Sequence, residues 1–184
     1  MREKQEIRNR MKGLLAKMSA HEVGVLSNYN IVPKFLKLPE VQRADSFFVY
    51  VSSGQEVQTI GLLETLLVKG KIVTVPKIVG KGDMDPFRIE KLGDLVEGKY
   101  RILTSKQEEP YRRGLAVCVA PGIAYTMNLE RLGSGGGFYD RFFKVYPGMY
   151  RVAFAYDMQI IDKVPMEPHD EMVDMIITEK RIIH

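Results

Sequence analysis

The sequence predicts an α/β fold in which a mostly parallel sheet is wrapped by helices. Short, almost continuous apolar runs of strand length recur as SFFVYVS (46–52), KIVTVPK (71–77), LAVCVAP (115–121) and YRVAFAYD (150–157). Runs of that kind suit strands buried on both faces. Helix-like stretches alternate with them, and folds built this way gather ligands at the carboxyl ends of the strands.

Taken in chain order, the first element is a helix. Ile7, Met11, Leu14, Leu15 and Met18 fall three to four residues apart, a helical apolar stripe, with Lys4 and Arg8 one turn apart beside its upper edge. These two cations either form a solvated basic face or point together at an anion. After the first strand, EVQTIGLLETLLVKG places Ile60, Leu63, Leu66 and Leu67 at helical spacing and stops at Gly70, which completes a β-α-β unit with the next strand. Residues 80–114 read as a loop-rich excursion carrying an extra strand at 87–90. A helix is expected from Tyr139, and the apolar run 175–178 closes the chain. No repeat, low-complexity tract or linker interrupts the pattern, so one domain spanning 1–184 is expected.

Composition narrows the function. The net charge is +4, but residues 1–18 hold six basic groups against Glu3 and Glu6, and the remainder of the chain balances. A local anion contact fits this better than an extended nucleic-acid surface. Cys118, the only cysteine, sits among apolar neighbours and reads as a reduced core residue. No apolar run approaches the roughly 20 residues of a membrane span. The charged start, MREKQEIRNRMK, is unlike a secretory signal. A cytoplasmic location is the expectation.

The stretch RLGSGGGFYDRF (131–142) gives up four side chains in five residues, at Gly133, Gly135, Gly136 and Gly137. Placed between a strand and a helix, such a loop offers phosphate bare N–H groups and the positive end of a helix dipole. It matches neither G-x-x-x-x-G-K-[ST] nor G-x-G-x-x-G, so by pattern alone it also reads as a plain structural loop. Arg131 supplies a cation with several donors, and Asp140, in the first helical turn, is placed either to cap that helix or to hold a hard cation. Glu167, His169, Asp170, Glu171 and Asp174 crowd together near the C-terminus, where a second carboxylate for magnesium is available. His169 reads as an ordinary loop histidine.

The segment APGIAYTMNLERLGSGGGFYDRF resembles the signature region of the 5-formyltetrahydrofolate cyclo-ligase family, with its R-L-G-x-G-x-G-[YF]-Y-D motif. The N-terminal KQEIR, the segment FVYVSSGQEVQT and the closing VPMEPHDEMVDMIIT resemble the same family, in the same order along the whole chain. The resemblance implies a three-layer α/β/α fold. It also implies a reaction in which ATP, with Mg2+, phosphorylates the formyl oxygen of 5-formyltetrahydrofolate. The neighbouring amine nitrogen then closes the ring, and loss of phosphate leaves 5,10-methenyltetrahydrofolate.

By the same resemblance, Lys4, Arg8 and the run Arg131, Leu132, Gly133, Ser134, Gly135, Gly136, Gly137, Phe138 and Tyr139 correspond to ATP contacts. Val51, Glu56 and residues Ser134 to Phe138 correspond to folate contacts, and Asp140 and Asp170 to metal positions. Phe138 and Tyr139 are placed either to stack on a flat ring or to pack on the sheet. No membrane or nucleic-acid partner is implied, and a monomer is expected. Where many family members read F-D-x-x-G-x-R-L-G, this chain has Thr126 for the aspartate and Leu129 for the glycine, while Ser134 and Gly136 replace larger or basic side chains. The alternatives are a non-catalytic RNA-associated relative and a phosphosugar-processing enzyme with a related sheet.

Overall fold

A computed structural model describes residues 2–184. In chain order the elements are α1 (Arg2–Leu15), α2 (Ala20–Val25), a π-helical turn, α3 (Val32–Leu36), α4 (Pro39–Arg43), β1 (Ser46–Val49), α5 (Ile60–Val68), β2 (Ile72–Ile78), β3 (Met84–Ile89), β4 (Leu95–Glu97), β5 (Leu103–Ser105), β6 (Val117–Ala120), β7 (Ala124–Tyr125), β8 (Arg131–Leu132), α6 (Phe138–Val145), β9 (Tyr150–Phe154), β10 (Met175–Ile177) and β11 (Ile182–Ile183). The π turn over Leu26–Ile31 falls just ahead of Pro33, whose missing N–H breaks the ordinary ladder there.

Seven strands form one sheet in the order β11-β10-β9-β6-β1-β2-β3. The five inner strands run parallel, and each edge is closed by an antiparallel strand, β11 beside β10 and β3 beside β2. Pro76 and Pro86 face each other across the β2–β3 ladder, beyond the last β1 pair at Thr74. No inner strand there needs the missing donor.

Side chains alternate between two cores, as period-2 strands require. Phe47, Val49, Val117, Val119, Val152 and Ile177 point to the core that α1, α3, α4 and α5 cover. Phe48, Cys118, Ala120, Ala153 and Ile176 point to the other, covered by Phe142 and Phe143 of α6. The small residues on this second face let α6 lie close to the sheet, with the Phe48 and Phe142 rings stacked at 4.1 Å. This is the three-layer arrangement expected, with a mixed but mostly parallel sheet.

Several boundaries move. Tyr50, Val51 and Ser52 leave the ladder, Asp157 begins a 3-10 turn, and the extra strand is longer than 87–90, starting at Met84. The excursion after it is less irregular than its composition suggests, because β4 and β5 make a hairpin. Two stripes rotate slightly. Leu14 is exposed while Met11, Leu15 and Met18 are buried, and in α5 the buried set is Leu62, Leu63 and Leu66, with Ile60 exposed. Spacing of three or four fits both neighbours of a stripe edge, so packing selects between them. Among the described residues no helix is long and apolar enough to cross a membrane.

Candidate active site

From the central strand β1 the chain winds to β2 on one side, while β6 and β9 lie on the other, so a crevice opens between β1 and β6 at their carboxyl ends. A cleft of about 1100 Å³ occupies it. Tyr50, Val51 and Glu56 enter from the loop after β1, Pro121 and Gly122 from the turn after β6, and Lys4 and Arg8 from α1. The loop from Arg131 to Asp140 forms one wall, and the 98–104 end of the β4–β5 hairpin another.

Glu56 is held in place by its own loop, its Oε2 accepting from the Ser53 N–H at 2.8 Å and from Ser53 Oγ at 3.2 Å. Burial pushes its carboxyl pKa above the ordinary value, against the pull of those two bonds. Tyr50 donates its hydroxyl to the Val57 carbonyl at 2.6 Å and Thr59 donates to the Tyr50 carbonyl at 2.7 Å, which ties this loop to the end of β1. Val51 is fully part of the larger core and presents only its edge to the cleft.

The glycines of the signature loop are explained by the arginines around it. A Cβ on Gly133 would stand 3.0 Å from Arg131 Nη1, one on Gly135 would stand 3.5 Å from Arg8 Cζ, and one on Gly137 would stand 2.7 Å from Arg141 Nη1. Gly133 and Gly137 therefore seat a guanidinium that a Cβ would crowd, whereas a Cβ on Gly135 would meet Arg8 in ordinary contact. Gly135 and Gly137 also have φ of 111° and 65°, conformations that side chains rarely adopt. Gly136 lies against the Phe138 ring, where a Cβ would come within 2.7 Å. Arg8 Nε donates to the Gly133 carbonyl at 2.9 Å and fixes α1 to the loop.

Arg131 lines the cleft with its guanidinium already paired. It is 4% exposed, its Nη2 donates to Asp140 Oδ1 at 2.7 Å, and its guanidinium lies over the Tyr139 and Phe143 rings. Its Nε has no partner among the described residues. Asp140 does not cap α6. Gly137 occupies the N-cap position, and Asp140 Oδ1 accepts instead from Arg131 and from the Glu171 N–H at 3.2 Å. Both Phe138 and Tyr139 line the cleft; Tyr139 packs against Phe48 of the sheet and Phe143 of α6, and Phe138 has Arg141 over its ring.

Beside the loop, Lys4 Nζ donates to Glu167 Oε2 at 2.6 Å and to Asp170 Oδ2 at 2.5 Å. Burial opposes the charge on Lys4, but the bonds and charges of Asp170 and Glu167 outweigh it and raise its pKa. Asp170 likewise titrates below its ordinary value: burial works against ionisation, and the Lys4 bond and the Glu167 N–H prevail. His169 stands beside both carboxylates, and ligand atoms of Glu167, His169 and Asp170 all lie within 4.8 Å of one another. Asp140 is outside that cluster, one residue away through the Glu171 bond. The family resemblance singled out Asp170, while the sequence placed Glu167 and His169 only in its neighbourhood; the structure sets their side chains beside it.

Two of the four departures from the family pattern have a visible setting. Leu129 has φ of 67°, a left-handed conformation that a glycine would take without strain. Thr126 is buried, and its hydroxyl donates to Glu130 Oε2 at 2.7 Å, closing the β7–β8 turn.

The profile of the 5-formyltetrahydrofolate cyclo-ligase family matches residues 1–179. The chain belongs to this family. It is therefore a ligase, and its relatives agree along its length. It is 34% identical over 146 residues to the 5-formyltetrahydrofolate cyclo-ligase of Mycolicibacterium smegmatis, covering 72% of each chain. Against that of Escherichia coli K12 it is 29% identical over 161 residues, 81% of this chain and 86% of the relative. The NMR structure of Aquifex aeolicus 5,10-methenyltetrahydrofolate synthetase superposes with a TM-score of 0.86 at 27% identity, over 97% of this chain and 91% of that one. Neither alternative reading, RNA-associated relative or phosphosugar enzyme, finds support in these relatives.

Proposed function

We propose that the cleft binds ATP and 5-formyltetrahydrofolate side by side, and that the chain, acting as one catalytic domain, joins ring closure to ATP cleavage. The observation that carries this is the single cavity of about 1100 Å³ in which α1, the glycine loop and the Glu56 loop meet. That volume is at the top of the range for one small ligand, which leaves room for a second. The formyl oxygen attacks the γ-phosphorus of ATP, an O–P bond forms, and ADP leaves. The neighbouring amine nitrogen then attacks the activated formyl carbon and loses its proton. Departure of phosphate with the former formyl oxygen leaves the conjugated amidinium of the methenyl product.

Phosphoryl transfer depends on positioning and on neutralising oxygens, so backbone amides and cations suffice without a protein nucleophile. The amides of Gly135 to Phe138 and the start of α6 suit the phosphates, with Arg8 directly against this loop and Lys4 one turn away on α1. Glu56 suits the N–H groups of the pterin ring. The carboxylates of Asp170 and Glu167, and of Asp140 just outside their cluster, are the hard-oxygen donors that Mg2+ takes. Bound there, Mg2+ would neutralise phosphate charge. Arg131 supports the reading differently from the expectation, as a strut that fixes Asp140. The reading includes a cytoplasmic location and a monomer free of nucleic acid.

The test mixes the protein with 5-formyltetrahydrofolate, magnesium and ATP and follows the absorbance of the methenyl product. Product that requires ATP supports the reading. ATP binding without product would mean that the loop serves a different acceptor.

A further inference from the structure

Arg141 is not among the residues that line the main cleft; it lines a smaller depression beside the signature loop, with Gly136, Asp140 and Lys144. Its Nη2 donates to the Gly136 carbonyl at 2.5 Å, and its Nε and Nη2 donate to the Gly82 carbonyl at 2.8 and 2.6 Å. Gly82 belongs to the turn between β2 and β3, which the Val79 N–H closes on the Asp83 carbonyl at 3.1 Å. One guanidinium therefore joins two loops that are 54 residues apart in sequence. Asp83 Oδ1 stands 3.6 Å from its Nε, and the Phe138 ring lies 5.8 Å from its Cζ.

The backbone is shaped around this group. Gly82 and Gly137 have φ of 89° and 65°, and a Cβ on either would collide with the guanidinium, at Gly82 far inside van der Waals contact. The consequence for the cleft follows from peptide geometry. In a trans peptide the C=O and the following N–H point in opposite directions. With the Gly136 carbonyl held by Arg141, the Gly137 N–H is turned away from that guanidinium, at a residue that lines the main cleft.

We propose that Arg141 is a positioning residue for the nucleotide loop: by clamping the Gly136 carbonyl to the β2–β3 turn, it holds the loop amides in the orientation that receives phosphate. The clamp needs the planar fork of arginine, since adjacent donors must reach two carbonyls at once. It rests on the reading of this loop as the ATP site and adds a residue from outside the cleft.

The experiment compares the parent with Arg141→Met, Arg141→Lys, Gly82→Ala and the double variant Arg141→Met/Gly82→Ala. ATP affinity is read by calorimetry without folate, and kcat and both KM values from product formation. Arg141→Met is expected to weaken ATP binding roughly tenfold, the scale of losing bonds from a charged donor, with the KM for 5-formyltetrahydrofolate within about twofold. Arg141→Lys should recover part of this. Gly82→Ala keeps the charge but fills the space of the guanidinium, so it should weaken ATP binding as Arg141→Met does, and the double variant should be no worse than either.

Parental ATP affinity in Arg141→Met overturns the proposal. So does a Gly82→Ala protein with parental affinity beside a weakened Arg141→Met, which would leave simple charge attraction as the cause. Should Arg141→Met not fold, the ATP affinities of Gly82→Ala and Arg141→Lys decide in its place: weakened binding in both supports the clamp, and parental binding in both overturns it. A parent that binds ATP but forms no product refutes the reaction and still lets ATP affinity judge the clamp. A parent that binds no ATP refutes both.

Discussion

Replacing Lys4 with methionine keeps the aliphatic stem and removes only the ammonium that joins α1 to the C-terminal loop. The side chains of Lys4 and Asp170 are 7% and 10% exposed, so the change strands a shielded carboxylate. Removing one partner of a buried pair costs about 3–5 kcal/mol. Here Asp170 keeps the Glu167 N–H at 2.7 Å, which brings the expected loss to about 2–3 kcal/mol. For a chain of this size that lowers Tm by about 5–10 °C.

Thermal unfolding followed by circular dichroism measures it, and a pH series checks the cause. Asp170 titrates below 3.8 and Lys4 above 10.5 in the folded chain. The carboxylate's share of the stability is thus complete above 3.8 and lost as pH falls through its lower folded value. The lysine's share is complete below 10.5 and lost as pH rises through its higher folded value. The gap between parent and variant should stay level from about pH 5 to about pH 9 and narrow on acidification below 3.8. A Tm within about 2 °C of the parent at neutral pH, or a gap unchanged in acid, would refute the ion pair as the anchor of α1.

Asp140→Asn and Asp170→Asn should each shift the magnesium titration of activity to higher concentration, and parental curves for both would remove them as ligands. Glu56→Gln is expected to raise the KM for 5-formyltetrahydrofolate about tenfold, the loss of one charged hydrogen bond, with the KM for ATP unchanged; equal changes in both would contradict a folate contact. Cys118 is fully buried and burial pushes its thiol pKa upward, so a thiol reagent should label none of the native protein and one site per chain after denaturation. Rapid labelling of the native form would show that the second core opens.

Lys4 and Arg8 illustrate where sequence reasoning stops. Their one-turn spacing was visible and placed both on one side of α1, yet whether that side met solvent or a ligand depended on residues about 125 to 165 positions away. The same holds for Arg131 and Asp140. Their residue types suggested an anion and a metal, and the fold turned one into the support of the other. The strands were legible because burial on both faces leaves a nearly unbroken apolar run, whereas their ends were not, since a strand stops where its neighbour stops pairing.

From the sequence alone came the alternation of strands and helices, the buried thiol, the N-terminal charge and the family, because each depends on local composition or on ordered motifs. Only the tertiary structure decided which side chain lies against each loop glycine, that the Glu167 and His169 side chains stand with Asp170, and that Arg141 ties the signature loop to the β2–β3 turn. Those facts depend on distances between segments far apart in the chain, and such distances exist only once the sheet has brought the loops together at its carboxyl edge.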